Sequence, residues 1–193
     1  MKKFFSIAVV ALMSLTIANA QNLKDEIAKS QEQAAKLQAL CKDYKTCGNA
    51  NIDGYGNSIK EAAVLSIANT EQISNLYVRD IQENADGTID VTSKNPKLEE
   101  WVTLATTVAA EGAKIKEAVD KAKGAGEEAK NLAQSASAEK NPMKVAKAAK
   151  TAKAAAAVVE FGNAATPILV DESAKQVKLV DEIIKKIKAA KNM

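Results

Sequence analysis

Apolar residues recur along this chain at alternating steps of three and four, the spacing that puts side chains on one face of an α-helix. Leu23, Ile27, Ser30, Ala34, Leu37, Cys41 and Tyr44 form a first stripe, and Ile59, Ala63, Ser66, Thr70, Ile73, Tyr77 and Ile81 a second. A third runs Leu98, Trp101, Ala105, Val108, Gly112, Ile115, Val119 and Ala122 as a coiled-coil-like heptad seam. A fourth joins Val170, Ser173, Val177, Val180, Ile184 and Ile187, widened by Leu179 and Ile183. Each stripe lasts about 25 residues, or roughly 35–40 Å of helix.

Three prolines follow residues suited to capping: Asn95-Pro96, Asn141-Pro142 and Thr166-Pro167. Proline suits the first helical position and Asn or Thr the cap before it, so all three predict helix starts. Glu99 and Glu100 follow the first, and Asp171 and Glu172 the third, each adding negative charge near a positive helix end. Gly124 and Gly126 predict a break in the third helix, with a short helix from about 127 to 135 after it. An Ala/Lys helix then opens at Asn141 and ends near Gly162-Asn163. The expectation is an all-α, single-domain antiparallel bundle of four to five long amphipathic helices over residues 21–193, with short connections.

The start of the chain has a different pattern. Lys2 and Lys3 precede an uncharged run from Phe4 to Ala18, and Ala18-Asn19-Ala20 offers small residues for cleavage. That order is the pattern of a secretory signal peptide over residues 1–20, giving a mature chain from Gln21. The run is about 15 residues, short of the roughly 20 needed for a permanent span. Periplasmic or secreted location follows, with no membrane-spanning segment after cleavage.

Export changes the reading of charge and cysteine. Without Lys2 and Lys3 the formal net charge falls from +3 to +1, which with export argues against nucleic-acid binding. Cys41 and Cys47 lie at the predicted end of the first helix, and an oxidising compartment predicts a disulfide between them. Alanine dominates the apolar positions, favouring closely packed helices over sheets.

The chain contains no histidine. Ser-His-Asp and Cys-His nucleophiles and imidazole-based zinc sites are therefore excluded. No cluster of carboxylates, lysines or tyrosines replaces them, and a non-enzymatic role without a cofactor is expected. Asn84-Ala85-Asp86-Gly87-Thr88-Ile89-Asp90 resembles the middle of an EF-hand loop, with Asn84, Asp86 and Asp90 as side-chain ligands and Thr88 offering its carbonyl. Gln82 and Ser93 occupy its two end positions, so any calcium site there is weak. Asn49-Ala50-Asn51-Ile52-Asp53-Gly54 repeats the alternate-oxygen pattern and fails similarly, with Lys60 at the closing position. Asn- and Asp-rich stretches also make ordinary turns.

Lys140, Lys144, Lys147, Lys150 and Lys153 run without an intervening acidic residue, and Val145, Ala149, Ala152, Ala156 and Val159 hold the other side. They form a basic face for an anionic surface or acidic partner, or simply a solvated face. Trp101, Tyr44 and Tyr77 are expected in the core and Tyr55, between two glycines, on the surface. These features predict an exported helical protein that acts through its surface as a scaffold or holdase, free to oligomerise. The alternative is a small-ligand or weakly calcium-responsive binding protein, using the Asn84–Asp90 turn or a cavity between alanine-lined helices.

Overall fold

The computed structural model describes residues 20–84 and 88–191; most of the predicted export signal lies outside them. Four helices account for nearly all of this: α1 (Ala20–Asp43), α2 (Ala50–Asp80), α3 (Leu98–Ala138) and α4 (Pro142–Lys191). A two-stranded ribbon, β1 (Gln82–Glu83) with β2 (Ile89–Asp90), joins α2 to α3, pairing Gln82 with Asp90 and Glu83 with Ile89. The all-α expectation holds. Among the described residues no helix is long and apolar enough to cross a membrane.

Helix ends show where sequence signals were decisive. Asn49 caps α2, its side chain accepting from the amides of Asn51 and Ile52. Asn141 caps α4, taking the Met143 amide at 3.0 Å, so Asn141-Pro142 is the helix start its residues predicted. The other two prolines behave differently. Asn95 adopts a positive φ of 45° and Pro96 is buried ahead of a helix that begins at Leu98. Pro167 lies inside α4. Its missing N–H would have served the carbonyl of Asn163, which sits on an exposed face where water can replace it. Thr166 donates its hydroxyl to the Gly162 carbonyl at 2.7 Å, satisfying the neighbouring turn.

Nor do Gly124 and Gly126 break α3, which continues to Ala138 and absorbs the separate short helix. Each glycine costs about 1 kcal/mol relative to alanine in a helix. Docking Ala118 and Ala125 into a buried face shared with Ala155 and Val158 of α4 offsets that cost.

Contacts between α2 and α3 run in opposite order. Asp80 meets Trp101, Asn69 meets Glu111, Ser58 meets Lys121, and Asn51 meets Glu128. α4 packs most extensively on α3 and also on α2, while α1 covers α2 and touches α4. The interior is two apolar clusters. One contains Leu23, Ile27, Ile73, Tyr77, Trp101, Leu104, Val180, Ile183 and Ile187. The other contains Leu37, Ile52, Tyr55, Ile59, Ile115, Val158, Phe161 and Leu169.

Tyr55 belongs to that second cluster and is only 2 % exposed, against the expectation of a surface aromatic. Two glycines make room for it and its neighbour. A Cβ on Gly162 would lie 2.1 Å from the Tyr55 hydroxyl, and one on Gly56 would lie 2.7 Å from both Tyr44 and Val158. Gly162→Ala is therefore expected to destabilise the fold by about 1–3 kcal/mol through overpacking. Gly124→Ala meets nothing within 4 Å. It is expected to stabilise by about 0.5–1 kcal/mol through helix propensity. Urea denaturation of the two variants checks both signs; equal midpoints would refute the packing argument.

Candidate functional site

The two apolar clusters are separated by a polar layer to which all four helices contribute. Ser30 comes from α1, Ser66, Asn69 and Thr70 from α2, Glu111 from α3, and Glu172, Ser173 and Gln176 from α4, all buried. Glu111 and Glu172 are fully inaccessible to solvent.

Hydrogen bonds organise part of the layer. Asn69 donates its amide to Glu111 Oε2 at 2.8 Å, and Thr107 donates its hydroxyl to Asn69 Oδ1 at 2.8 Å. Gln176 Nε2 donates to the Ser66 carbonyl at 3.2 Å and to Thr70 Oγ1 at 3.0 Å. Four oxygens keep no hydrogen-bond partner: Glu111 Oε1, both Glu172 oxygens, and Gln176 Oε1. Every one is an acceptor, or a carboxyl oxygen that needs a proton to become a donor.

Burial pushes the Glu111 carboxyl up to about 7, against the pull of Asn69 and Ser66 and with the help of the nearby Glu172 charge. Burial likewise raises Glu172, outweighing Ser30 and Lys175. Two carboxyls so placed favour the protonated form or a bound cation over a bare pair of charges.

The sequence-predicted features lie elsewhere. Cys41 and Cys47 are both free thiols, which corrects the predicted disulfide. The turn between α1 and α2 is closed instead by Asp53, whose carboxylate accepts the amides of Cys47 at 2.7 Å and Gly48 at 2.9 Å. Burial raises both thiols above their usual range, leaving them protonated and poorly nucleophilic. Asn49 to Gly54 is the capped start of α2 and not a calcium-type loop, because its oxygens bind backbone amides.

At the other resemblance, the ribbon uses the candidate ligands itself. The Thr88 carbonyl accepts the Asn84 amide at 2.9 Å, and the Asn84 side chain donates to Thr88 Oγ1 at 2.9 Å. Asp90 Oδ1 accepts from the Thr92 amide and hydroxyl, both at 2.6 Å, and these donors hold its carboxyl below the usual range. Asp86, the remaining candidate, falls outside the described residues. Among the described residues no three His, Cys, Asp or Glu side chains converge as metal ligands.

The five lysines are all exposed, but their setting differs from a bundle face. Contacts from α2 to α3 reach Glu128, bound by Asn49 at 2.6 Å and Asn51 at 2.8 Å. Beyond it α3 continues to Ala138, and α4 starts back at Pro142. This end is therefore a two-helix hairpin projecting roughly 15 Å past the start of α2. In α4 the first buried residue is Ala155, so Val145, Ala149 and Ala156 are exposed beside the lysines and do not form an apolar side. Met143, near the tip, is 88 % exposed. At the base of the hairpin an open groove of about 700 Å³ lies between the end of α1 and α4, lined by Leu40, Tyr44, Ala154, Ala157 and Phe161 with Lys45, Lys150 and Lys153 at its edge.

Periodicity placed Ser30, Ser66, Thr70 and Ser173 on core stripes but passed over Glu111 and Glu172. A hydrophobic residue would ordinarily fill either position, so the available signal was a glutamate recurring in phase with Leu104 and Val108, or with Leu169 and Leu179. The chain matches no protein-family model, no curated protein sequence and no solved structure.

Proposed function

We propose that this chain is an exported, non-enzymatic protein, periplasmic or secreted, folded as an antiparallel helical bundle. Its projecting α3–α4 hairpin binds an anionic envelope surface or an acidic partner protein, as a scaffold or holdase would. The observation that carries this reading is the hairpin itself: five exposed lysines, none ion-paired among the described residues, run from its tip at Lys140 to its base, where Lys150 and Lys153 border the groove beside the end of α1. Lysines in such a place contribute little to folding. Together they create a positive field that speeds and strengthens encounter with negative surfaces. The carboxyls of the polar layer support a non-enzymatic role, because a substrate cannot reach groups with no accessible surface.

Binding to anionic vesicles should fall steeply between low and physiological salt, since exposed charges are screened within about 10 Å at 0.1 M. A variant with Lys144, Lys147, Lys150 and Lys153 changed to Gln should lose at least tenfold in affinity while keeping its melting temperature. Cosedimentation across a salt series measures this; binding that is insensitive to salt, or unchanged in the variant, rejects the proposal. A second reading, a small amphipathic ligand in the groove at the hairpin base, is favoured by the apolar lining beside Lys150 and Lys153.

A further inference from the structure

We propose that the polar layer is an internal site for one hard cation, held by Glu111 Oε1, the Glu172 carboxylate and Gln176 Oε1. All three side chains are at least nine-tenths buried, and the oxygens in question have no hydrogen-bond partner.

The neighbouring amide donors are already used, which leaves only the buried Ser30 and Ser173 hydroxyls beside Glu172. Asn69 donates to the other oxygen of Glu111, and the Gln176 amide is committed to Ser66 and Thr70. No lysine or arginine is buried in the layer. The nearest basic group acting on Glu172 is Lys175, partly exposed and paired with Asp171 at 2.7 Å. A donor deficit of this kind, in a layer enclosed by apolar side chains above and below, is what a cation removes.

The parts of the layer are joined. Ser66 bonds the Glu111 carboxylate and also receives the Gln176 amide. Glu172 precedes Gln176 by one helical turn, so both project from the same face of α4. Gly112, next to Glu111, faces Ser173, whose hydroxyl would lie 3.7 Å from an added Cβ. The available oxygen ligands therefore come from α3 and α4 with hydroxyls from α2 and α4 nearby.

The chemistry selects the class of ion. The donor set contains only carboxylate, amide and hydroxyl oxygens, which suits Ca²⁺, Mg²⁺ or Mn²⁺ and disfavours thiophilic metals. A divalent ion neutralises both carboxylates and releases any protons they carry. Its position between the two clusters ties α3 to α4 at mid-bundle, so occupancy is coupled to folding.

The test uses the full purified chain, stripped with chelator and melted at about pH 8 in separate excesses of Ca²⁺, Mg²⁺ and Mn²⁺. One ion is expected to raise the melting temperature by about 5–10 °C at a hundredfold excess over its dissociation constant. Metal analysis after desalting should return one ion per chain. Glu111→Gln with Glu172→Gln should abolish both results, while Asp90→Asn, in the surface ribbon, should leave both intact. The proposal is overturned if no ion changes the melt, if the double variant responds as fully as the parent, or if Asp90→Asn alone removes the response.

Discussion

Trp101→Ala is expected to destabilise the protein by about 3–5 kcal/mol, the usual cost of deleting a fully buried large aromatic. Trp101 has no exposed surface and packs among Leu104, Tyr77 and Ile183 in the cluster nearest the ribbon. Its indole N–H also donates to Asp80 Oδ2 at 2.8 Å. Asp80 is itself 2 % exposed, and Arg79 forks onto it through Nε at 2.6 Å and Nη2 at 2.9 Å. Those partners hold the Asp80 carboxyl below its usual range despite burial. Removing the indole therefore opens a cavity and deprives a buried carboxylate of one donor. Trp101→Phe separates the two effects: it keeps most of the packing and should cost about 1–3 kcal/mol for the unsatisfied acceptor. Because Trp101 is the only tryptophan, unfolding of these variants is followed by far-ultraviolet circular dichroism and not by fluorescence. A melting shift on the order of 10 °C is expected for the alanine variant. A shift below a few degrees would show that this cluster does not anchor the bundle.

The same residue shows how far the sequence could be read. Trp101 falls on the third stripe because large apolar residues at helical spacing face a core wherever the helix packs. All the α2 stripe residues, Ile59 to Ile81, are buried for that reason. In α3 the phase drifts. Leu104, Glu111 and Ala118 are the buried residues where Ala105, Gly112 and Val119 were expected, because alanine and glycine mark a face too weakly to fix its angle. Val177, 43 % exposed, departs from the α4 stripe for the same reason: Gln176 takes the inward position.

Local signals were overruled where tertiary packing was stronger. Gly124, Gly126 and Pro167 each carry a penalty of a few kcal/mol at most, and long helix-to-helix contacts exceed it. The free thiols illustrate the opposite case. Cys41 and Cys47 had the spacing for a bond, and a predicted export signal to suggest one, but Asp53 organises the intervening turn through two amides. Polar positions were the hardest to read. Glu172 looked like a charge suited to a helix start after Pro167, whereas the uninterrupted helix carries it into mid-bundle. Its role depends on which three helices lie opposite, and one strand of sequence does not contain that pairing.

That buried pair makes a second large effect, visible as pH dependence in chelated buffer. Around Glu111 stand Asn69 and Ser66 from α2 and the carboxyl of Glu172 from α4. Around Glu172 stand Ser30 and Glu26 from α1, with Lys175 and Asp171 on its own helix. For Glu111 the folded pKa, about 7, lies above the ordinary glutamate value of 4.5. The folded protein therefore holds a proton that the unfolded chain releases, and stability must fall as pH rises between those values. The contribution is fully present below about pH 4.5 and gone above about pH 7, a loss of about 3 kcal/mol from Glu111 alone. Glu172 is shifted in the same direction and steepens the fall. No histidine titrates inside this window to obscure it. Asp80, Asp90 and Glu100, whose carboxyls are lowered, act with the opposite sign and at lower pH. Glu111→Gln should flatten most of the slope and raise stability near pH 8 relative to the parent, with Glu172→Gln removing what remains. Urea midpoints at intervals across the window measure this directly. A parent protein equally stable at both ends would mean that neither carboxyl is held in the dry layer between the two clusters.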